Sequence, residues 1–442
     1  MSGRLKLHAA TLLGAALVCA MLAARAAAAP DPQLVGTKRI DSRLTELTLR
    51  TPELAAPTHV RVLLPAGYAS HRKRRYPVLY LLHGASGSQT DWTTAGNAET
   101  ATAKLPLIVV MPDGGRGGFY TDWFNNGKGG GPRWETWHIK HLIPYVDAHY
   151  RTRATRSQRA IAGLSMGGFG TFSYAARHPD LFTAALSMSG AVDTTLAPSV
   201  IDAIPSADGG GFGALWGDYE ANQVRWRAHN PLDLAENLRG LELWLRTGNG
   251  QPGPLGGRPG TDIIEAGVEG MANNVHKRLQ ALHIRHVFDD YGPGQHMWPY
   301  WNRDLTETLP SIMERFASGS RPPARVTFTA AEPQYSVYGW RVSVRRPALE
   351  FSQLSNANRA GFSLSGSGSA TVSTPAAFKP RGRYVITIKK RSGKPESYRV
   401  IANRRGRLHI VVPLGKGNPA QQYAPGTTTK VFTTRVRIAR AS

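Results

Sequence analysis

Residues 159–168 read RAIAGLSMGG and contain the pattern Gly-x-Ser-x-Gly, with Ser165 at its centre. The apolar residues before the pattern are typical of a buried strand, and the small residues after it are typical of a closely packed helix. A strand, a sharp turn and a helix in this order hold a serine on a strained turn, and glycines flank it because side chains there would collide with neighbouring backbone. The stretch therefore predicts Ser165 as a nucleophile, with an ordinary structural turn as the alternative interpretation.

Further strand-like runs surround this stretch. Two alternating runs, 44–50 and 59–64, predict an antiparallel hairpin at a sheet edge. Five later runs are almost continuously apolar, as in parallel strands covered on both faces. They are residues 78–82, 107–111, 160–164, 184–188 and 241–245. Helix-like stretches lie between them, most clearly 134–150 and 168–178, so the pattern predicts the α/β class with a mostly parallel sheet flanked by helices.

A serine hydroxyl needs a base before it can act as a nucleophile. In the α/β-hydrolase fold, which carries a serine on such a turn, the histidine comes last along the chain, after the final strand. His296 has this place, because it follows the last strand-like run, 287–291, in the loop YGPGQHMWPYW. The sequence thus predicts an α/β-hydrolase fold with His296 as the base. The histidines expected at the surface instead are His276, His283 and His286.

A metal site is a weaker interpretation of the histidines. His138 and His141 have the spacing HxxH, but no third ligand lies near them in the sequence. The only cysteine, Cys19, is close to the N-terminus, which excludes a cysteine-based metal site. We therefore expect neither a metal nor a cofactor.

A carboxylate should orient the histidine and stabilise its charged form. The usual place for it follows the strand that ends near Arg246, but the segment 247–260, TGNGQPGPLGGRPG, contains no acid. The candidates beyond it are Asp262, Glu265 and Glu269, with Asp289 and Asp290 less favoured. Spacing alone does not choose among them.

Two backbone N–H groups are expected to bind the oxyanion of the reaction. Met166, directly after the nucleophile, supplies the first. The loop HGASG at 83–87 supplies the second, with Ala85 as the expected donor. An ordinary tight turn is the alternative interpretation of that loop.

Several short pieces of the chain stand in a characteristic order. They are MPDGG at 111–115, FYTDW at 119–123, WET at 134–136, GLSMGG at 163–168, HPDLF at 178–182, GNG at 248–250 and GQHMWPYW at 294–301. With them, the region 76–301 resembles the antigen-85-type mycolyltransferases and the esterase D group. The resemblance implies a triad of serine, glutamate and histidine in which the glutamate begins a helix. Glu265 fits the register of that helix, so the resemblance implies Glu265 as the acid and Ala85 and Met166 as the oxyanion donors.

The chain departs from that family in the loop after its third strand. The mycolyltransferases have an aspartate and an arginine there that help to bind trehalose, whereas this chain has His83 and Ser86. The loop 125–132, which holds a disulfide in the mycobacterial enzymes, lacks cysteine. The expected substrate is an acyl ester, with water or a sugar as acceptor, and we predict that His83, Ser86 and Trp298 contact it. The tryptophans whose faces could pack against a sugar or an acyl chain are Trp123, Trp134, Trp137, Trp298 and Trp301.

The first 29 residues predict a secretory signal peptide. A basic start is followed by the apolar run 7–24 and by an alanine tract that ends at Ala29. A permanent membrane anchor is the alternative. The signal peptide implies that the mature protein is secreted or associated with the cell wall. Because Cys19 lies in the removed segment, the mature protein is also expected to have no disulfide.

The C-terminal part has a different composition. After a catalytic domain over 30–317, the segment 318–324 predicts a linker, and short alternating runs predict a small all-β, sandwich-like domain over 325–442. Residues 321–442 contain 22 Lys or Arg against 3 Asp or Glu, and so carry most of the formal net charge of +24. We expect this part to bind an anionic cell-envelope polymer rather than nucleic acid. A solvated basic surface without a ligand is the alternative.

These features predict a secreted serine esterase or acyltransferase that forms an acyl-enzyme on Ser165 and acts on acyl esters of sugars or lipids at the cell envelope. A non-catalytic envelope-binding protein of the same fold is one alternative, and the set Ser165, Glu265 and His296 argues against it. A serine peptidase is another, because the triad does not choose between an ester and an amide.

Overall fold

The computed structural model describes residues 32–391 and 393–441. The predicted signal peptide, with Cys19, lies outside the described residues. Within those that are described, no helix is both long enough and apolar enough to cross a membrane.

A nine-stranded sheet organises the first part of the chain, in the order β1-β2-β3-β5-β4-β6-β7-β8-β9. Its strands are β1 (Gln33–Arg39), β2 (Leu44–Arg50), β3 (Thr58–Leu63), β4 (Val78–Leu82), β5 (Ile108–Pro112), β6 (Arg159–Leu164), β7 (Ala184–Met188), β8 (Glu242–Thr247) and β9 (Val287–Asp290). The pairs from β1 through β2 and β3 to β5 are antiparallel, and those from β5 through β4 and β6 to β9 are parallel. The predicted mostly parallel sheet is confirmed.

Helices connect these strands. They are α1 (Asp91–Thr94), α2 (Ala98–Ala101), α3 (Trp134–Thr136), α4 (Ile143–His149), α5 (Met166–Arg177), α6 (Pro198–Ala203), α7 (Gln223–His229), α8 (Ile263–Ala281) and α9 (Trp298–Ser318). A π-helical segment, Trp137–Leu142, joins α3 to α4, so the helix predicted over 134–150 is continuous. Short 3₁₀ segments cover Asn125–Gly127, Arg156–Gln158, Ile204–Asp208 and Ala235–Leu238.

Both faces of the central strands are buried, which explains their almost continuous apolar sequence. In β4, Tyr80 and Leu82 belong to one hydrophobic core, and Leu79 and Leu81 belong to the other. Side chains of α3, α4, α5 and α8 complete the first core, and side chains of α9 complete the second. This layering leaves the carboxyl ends of the parallel strands as the place for a site.

Two antiparallel sheets follow α9. Their strands are β10 (Val326–Ala330), β11 (Gln334–Val337), β12 (Trp340–Arg345), β13 (Ser352–Asn358), β14 (Gly361–Gly366), β15 (Ser369–Ser373), β16 (Arg383–Lys389), β17 (Glu396–Ile401), β18 (His409–Pro413) and β19 (Phe432–Arg440). One sheet has the order β10-β13-β14-β19-β16-β17 and the other β11-β12-β15-β18. Both contribute side chains to one hydrophobic core, for example Ile386 from the first and Val372 from the second.

The two parts of the chain contact each other near the C-terminal end of α5. Arg177, the last residue of α5, pairs with Glu332 at 2.6 Å between Nη1 and Oε1. The side chain of Asn237 exchanges two hydrogen bonds of 2.8 Å with the backbone of Thr329. Since α5 begins directly after Ser165 and its 12 residues extend about 18 Å, this contact lies at the far end of α5 from the serine.

Candidate active site

Ser165 occupies the sharp turn between β6 and α5. Its φ of 53° and ψ of −119° lie in a region that residues with side chains rarely adopt. The turn is held by the Ser165 amide, which donates to the carbonyl of Met188 on β7 at 2.9 Å, and by its carbonyl, which accepts from the amide of Phe169 at 3.1 Å. The serine is half-buried. A strained backbone that presents a serine at the end of a buried strand fits a nucleophile.

Glycines allow the loop after β4 to lie directly against this turn. A Cβ atom at Gly167 would lie 2.5 Å from the carbonyl oxygen of His83. At Gly84, a Cβ atom would lie 2.7 Å from Cδ1 of Leu164 and 3.4 Å from Cβ of Ser165. The absence of side chains at both glycines therefore brings the predicted oxyanion loop beside the serine.

His296 and Glu265 are joined by a short hydrogen bond. Nδ1 of the histidine donates to Oε2 of the glutamate at 2.7 Å. The Glu265 side chain is fully buried, whereas 12% of the His296 side chain is exposed. Because Nδ1 donates, Nε2 is the nitrogen that can accept a proton. The ring is also packed edge-on against Trp301, with 5.0 Å between ring centroids.

Three donors hold the second oxygen of the Glu265 carboxylate. The hydroxyl of Ser189 and the amide of Gly248 each donate to Oε1 at 2.8 Å, and the hydroxyl of Thr247 donates at 3.2 Å. Ser189 in turn accepts a hydrogen bond from Nε1 of Trp301 at 3.1 Å. These donors compensate a buried negative charge and fix the plane of the carboxylate that faces the histidine.

Asp262 connects the start of α8 with the histidine loop. Its Oδ1 accepts from the amides of Ile264 at 3.0 Å and Glu265 at 3.2 Å, and so caps the helix. Its Oδ2 accepts from the amide of His296 at 3.0 Å. Burial opposes ionisation, but these amides lower the pKa of the Asp262 carboxyl below its ordinary value. Asp262 thus positions the backbone of both partners, while Glu265 contacts the ring.

The remaining candidate acids make other contacts. Asp289 pairs with Arg246 at 2.9 Å. Glu269 lies one turn beyond Glu265 on α8, where burial and the neighbouring charge of Asp290 raise its pKa. Of the five acids left open by spacing, Glu265 is the one that the structure brings to the ring of His296.

The two predicted oxyanion donors come from the start of α5 and from the loop after β4. Met166 is the first residue of α5, where N–H groups have no partner within the helix. In the loop after β4, the amide of Ser86 is already used, since it donates to the carbonyl of Arg116 at 2.7 Å. Ala85, which is exposed, therefore stays the predicted donor of that loop.

The sequence model of the esterase family matches residues 51–312, which is more than half of the chain. The chain belongs to the esterase family. The match contains Ser165, Glu265 and His296 and ends before the two C-terminal sheets.

Relatives with curated names include both esterases and acyltransferases. Esterase Rv1288 of Mycobacterium tuberculosis is 36% identical over 230 residues, which are 49% of this chain and 48% of that protein. The chain thus spans about half the length of this relative. Diacylglycerol acyltransferase/mycolyltransferase Ag85B of Mycolicibacterium smegmatis is 32% identical over 251 residues, which are 53% of this chain and 75% of that protein. The predicted resemblance to the antigen-85-type mycolyltransferases is confirmed.

Solved structures agree on the fold of this esterase-family chain. MPT51 of Mycobacterium tuberculosis is 25% identical with a TM-score of 0.51, and the match covers 61% of this chain and 97% of that one. An S-formylglutathione hydrolase from Agrobacterium tumefaciens is 17% identical with a TM-score of 0.53, over 64% of this chain and 99% of that one, and shows the fold alone. The predicted α/β-hydrolase fold is confirmed.

His83 does not have the accessibility that its predicted contact with substrate requires. The residue is 1% exposed. Its Nδ1 donates to the carbonyl of Gly84 at 2.8 Å, and its Nε2 accepts from the amide of Gly114 at 2.9 Å. Both ring nitrogens therefore already have hydrogen-bond partners within the protein. The prediction is wrong for this residue, because His83 is buried and its ring stabilises the loop after β4 through hydrogen bonds.

Ser86 and Trp298 remain accessible. Ser86 is exposed and has a φ of 62°. Trp298 is half-buried at the start of α9, edge-on to Trp92 at 5.1 Å and to Trp301 at 5.3 Å between centroids. Both stay predicted substrate contacts. The other predicted tryptophans are buried: Trp123, Trp134 and Trp137 belong to the first hydrophobic core and Trp301 belongs to the second.

The HxxH pair is part of the core. His138 accepts from the hydroxyl of Tyr174 and donates to the carbonyl of Asp113, each at 2.9 Å. His141 contacts Glu53 at 3.3 Å. Over residues 32–391 and 393–441, no group of three or more His, Cys, Asp or Glu side chains could hold a metal ion. Of the histidines expected at the surface, His283 is exposed, and His276 and His286 are half-buried and hydrogen-bonded to each other at 2.8 Å.

Sequence reasoning missed the residues that hold Glu265. Ser189 directly follows β7 and Thr247 ends β8, so both stand at carboxyl ends of parallel strands, of which β7 is next to β6 and β8 is next to β7. Polar residues at such ends are a usable signal, because active sites of parallel sheets form there. The predicted strands 184–188 and 241–245 already place this pair near the nucleophile.

Proposed function

We propose that this chain is a secreted serine esterase or acyltransferase in which Ser165 is the nucleophile, His296 its base and Glu265 the acid that orients the base. The observation that carries the proposal is the 2.7 Å hydrogen bond from His296 to the fully buried Glu265, in an esterase-family chain whose strained turn presents Ser165. The first 29 residues serve as the signal for export.

In the first half of the reaction, Oγ of Ser165 forms a bond to the carbonyl carbon of an acyl ester, and its proton passes to Nε2 of His296. The carbonyl oxygen becomes an oxyanion that the amides of Ala85 and Met166 stabilise. The bond between the carbonyl carbon and the alcohol oxygen then breaks, and the alcohol leaves with the proton from His296. The acyl group stays on Ser165.

In the second half, water or a sugar hydroxyl takes the place of the alcohol. His296 accepts the proton of the attacking group, a second oxyanion forms at the same two amides, and the bond to Oγ breaks as the serine recovers its proton. Water gives a free acid, and a sugar gives a new ester. Substrates are acyl esters of sugars or lipids at the cell envelope, a class that fits relatives named as diacylglycerol acyltransferases and mycolyltransferases.

Hydrolysis of 4-nitrophenyl butyrate tests this function. We expect turnover by the full chain and a loss of at least about a thousandfold in Ser165→Ala. Ser199→Ala, which changes an exposed serine on α6, is the matched control and should retain the activity. Activity on butyryl-4-nitroanilide but not on the ester would favour a peptidase, and a folded chain inactive on both would favour a binding protein.

We further propose that residues 325–442 form a separate, sandwich-like domain that holds the enzyme at an anionic cell-envelope polymer. Lys389 on β16 and Arg435 on β19 are directly opposite each other, and both are exposed. Like charges in this position destabilise a sheet. Arg437, also exposed, lies two residues further along β19. A bound polyanion would offset this repulsion, which supports a binding surface on the outer face of the six-stranded sheet.

Binding to purified wall teichoic acid, a phosphodiester polymer, tests this surface. Replacing Lys389, Arg435 and Arg437 together by Gln should weaken binding and reduce its dependence on salt. The matched control removes three exposed cations of the first part of the chain, namely Lys38, Arg72 and Lys73. Equal losses in both variants would assign binding to net charge alone and contradict a dedicated surface.

A further inference from the structure

The loop after β5 contains one side chain among four closely packed glycines. Residues 114–118 read GGRGG. A Cβ atom would lie 2.6 Å from Oδ2 of Asp208 at Gly115, and 2.2 Å from the carbonyl oxygen of Ile204 at Gly117. Packing this close fixes the path of the backbone and leaves Arg116 as the single side chain that the loop presents.

Arg116 is exposed, and its backbone is held on both sides. Its carbonyl accepts the amide of Ser86 at 2.7 Å, and its amide donates to Oδ1 of Asp208 at 3.1 Å. Ser86 is the residue next to Ala85, the predicted oxyanion donor. A backbone hydrogen bond therefore links Arg116 directly to the loop that lies against Ser165.

Arg116 lines a cavity of about 630 Å³ together with Gly87, Ser88 and Trp134. Gly87 and Ser88 continue the same loop after β4. The cavity therefore borders the loop that contains Ala85, and its volume lies within the range of ordinary ligand pockets.

Three carboxylates also line this cavity, and each already has an ion pair or a hydrogen bond with another residue of the protein. Glu53 pairs with Arg133 at 2.9 Å. Asp208 accepts two backbone amides, those of Arg116 and Gly117. Asp113 accepts the amide of Gly115 at 2.9 Å.

The guanidinium of Arg116 differs from these carboxylates. Among the hydrogen bonds and ion pairs between described residues, those of Arg116 are made by its backbone. An arginine side chain presents a planar fork of donors that matches a carboxylate or a phosphate. The cavity therefore combines three carboxylates that have partners in the fold with one cation whose side chain has no hydrogen-bond or ion-pair partner among the described residues.

We infer that Arg116 is a specificity residue that binds a carboxylate or phosphate group carried by the ester substrate. The inference rests on the proposed esterase function and deepens it, since it names the charge of the substrate. The anionic group belongs either to the acyl part or to the alcohol part of the ester, and the two sources require different substrates in the test.

The test compares three esters with the full chain. 4-Nitrophenyl butyrate is neutral, mono-4-nitrophenyl succinate has an anionic acyl part, and 4-carboxyphenyl butyrate has an anionic alcohol part. In Arg116→Gln, kcat/KM for one anionic ester, relative to that for the neutral ester, should fall by about 10- to 100-fold, mainly through KM. Arg116→Lys should restore part of this ratio, because it returns the charge without the fork.

Lys128→Gln removes an exposed cation from a neighbouring loop and should leave both ratios as they are. If Arg116→Gln changes the three esters equally, or not at all, the inference about Arg116 is wrong while the esterase function stands. If the wild-type chain hydrolyses none of the three esters, the proposed function itself fails and the inference fails with it.

Discussion

At the scale of single residues, spacing in the sequence predicts two members of the proposed triad, Ser165 and His296, but does not predict the third, Glu265. The turn around Ser165 and the glycine loop around His296 are local patterns, so both residues can be found from spacing. Glu265 is different because the loop 248–262 lies between β8 and its helix, and the residue meets His296 only after that loop has folded back. The N-cap of α8 by Asp262 is the local event that fixes where the helix starts.

Replacing Glu265 by Gln should lower kcat by about four orders of magnitude at neutral pH, as an amide in this place favours the wrong histidine tautomer. The amide nitrogen would donate to Nδ1 of His296, so the ring proton would move to Nε2, where it blocks acceptance of the serine proton. The measurement is kcat on 4-nitrophenyl butyrate, with circular dichroism to confirm folding. A loss below tenfold would assign the acid to another residue.

Asp262→Asn should have a smaller effect of a different kind. Asp262 contacts backbone amides of Glu265 and His296, so the change should lower kcat by roughly 10- to 100-fold through misplacement of the pair. Glu269→Gln, on the same helix, is the control and should leave kcat on 4-nitrophenyl butyrate unchanged. A kcat of Asp262→Asn equal to that of the wild type would show that Asp262 acts as a helix cap alone.

At the scale of elements, burial decides which strands can be predicted. The five central strands lie within one or two residues of the predicted runs because both of their faces are covered. β1 is not predicted, because nearly all of its residues are exposed, and it pairs with β2 with a register shift beside Gly36. A strand that buries no face leaves no apolar pattern in the sequence.

The close approach of α5 to the loop after β4 gives a prediction for this pair of elements. In Gly167→Ala, the new Cβ would lie 2.5 Å from the His83 carbonyl, so the elements must separate. We expect a loss of about 1–3 kcal/mol in the free energy of unfolding and of about a hundredfold in kcat.

Gly267→Ala is the matched control for this change. Gly267 lies in α8, where an added Cβ has no neighbour within 4 Å, so alanine should stabilise by about 1 kcal/mol. Urea unfolding of both variants, together with kcat on 4-nitrophenyl butyrate, makes the comparison. Equal behaviour of the two glycine variants would show that the contact between α5 and the loop is not tight.

At the scale of the whole molecule, a buried histidine links stability to pH. Burial lowers the pKa of His138 to about 4 from the ordinary 6.5. Between these values the unfolded chain binds a proton that the folded chain excludes, so the free energy of unfolding falls as pH falls through this window and is unaffected by His138 above it. At pH 5 the loss from this one group is about 2 kcal/mol.

His138→Gln should flatten that dependence. Glutamine can keep a donor and an acceptor for the partners of His138, and it has no proton to gain. Comparing urea midpoints at pH 7.5 and pH 5, we expect the variant to be less stable at the higher pH and to lose less on acidification than the wild type. The same acid shift in both proteins would mean that His138 does not couple stability to pH.

The contact between the two parts of the chain lies away from the proposed active site. The ion pair between Arg177 and Glu332 lies at the end of α5 opposite to Ser165, so the proposed binding by the basic sheets would not disturb the proposed site. The sequence predicts the all-β character of the C-terminal part from its alternating runs. It does not predict this contact, because Arg177 and Glu332 carry no pattern that links them before both parts have folded.

The central claim is that Ser165 is an activated nucleophile. Intact mass after incubation with a fluorophosphonate tests it most directly, since the reagent forms a stable bond to a serine that a neighbouring base has activated. We predict one adduct on the folded wild-type chain, none on Ser165→Ala, and much slower labelling of Glu265→Gln. No adduct on the folded wild type, or an adduct that persists in Ser165→Ala, would contradict the account.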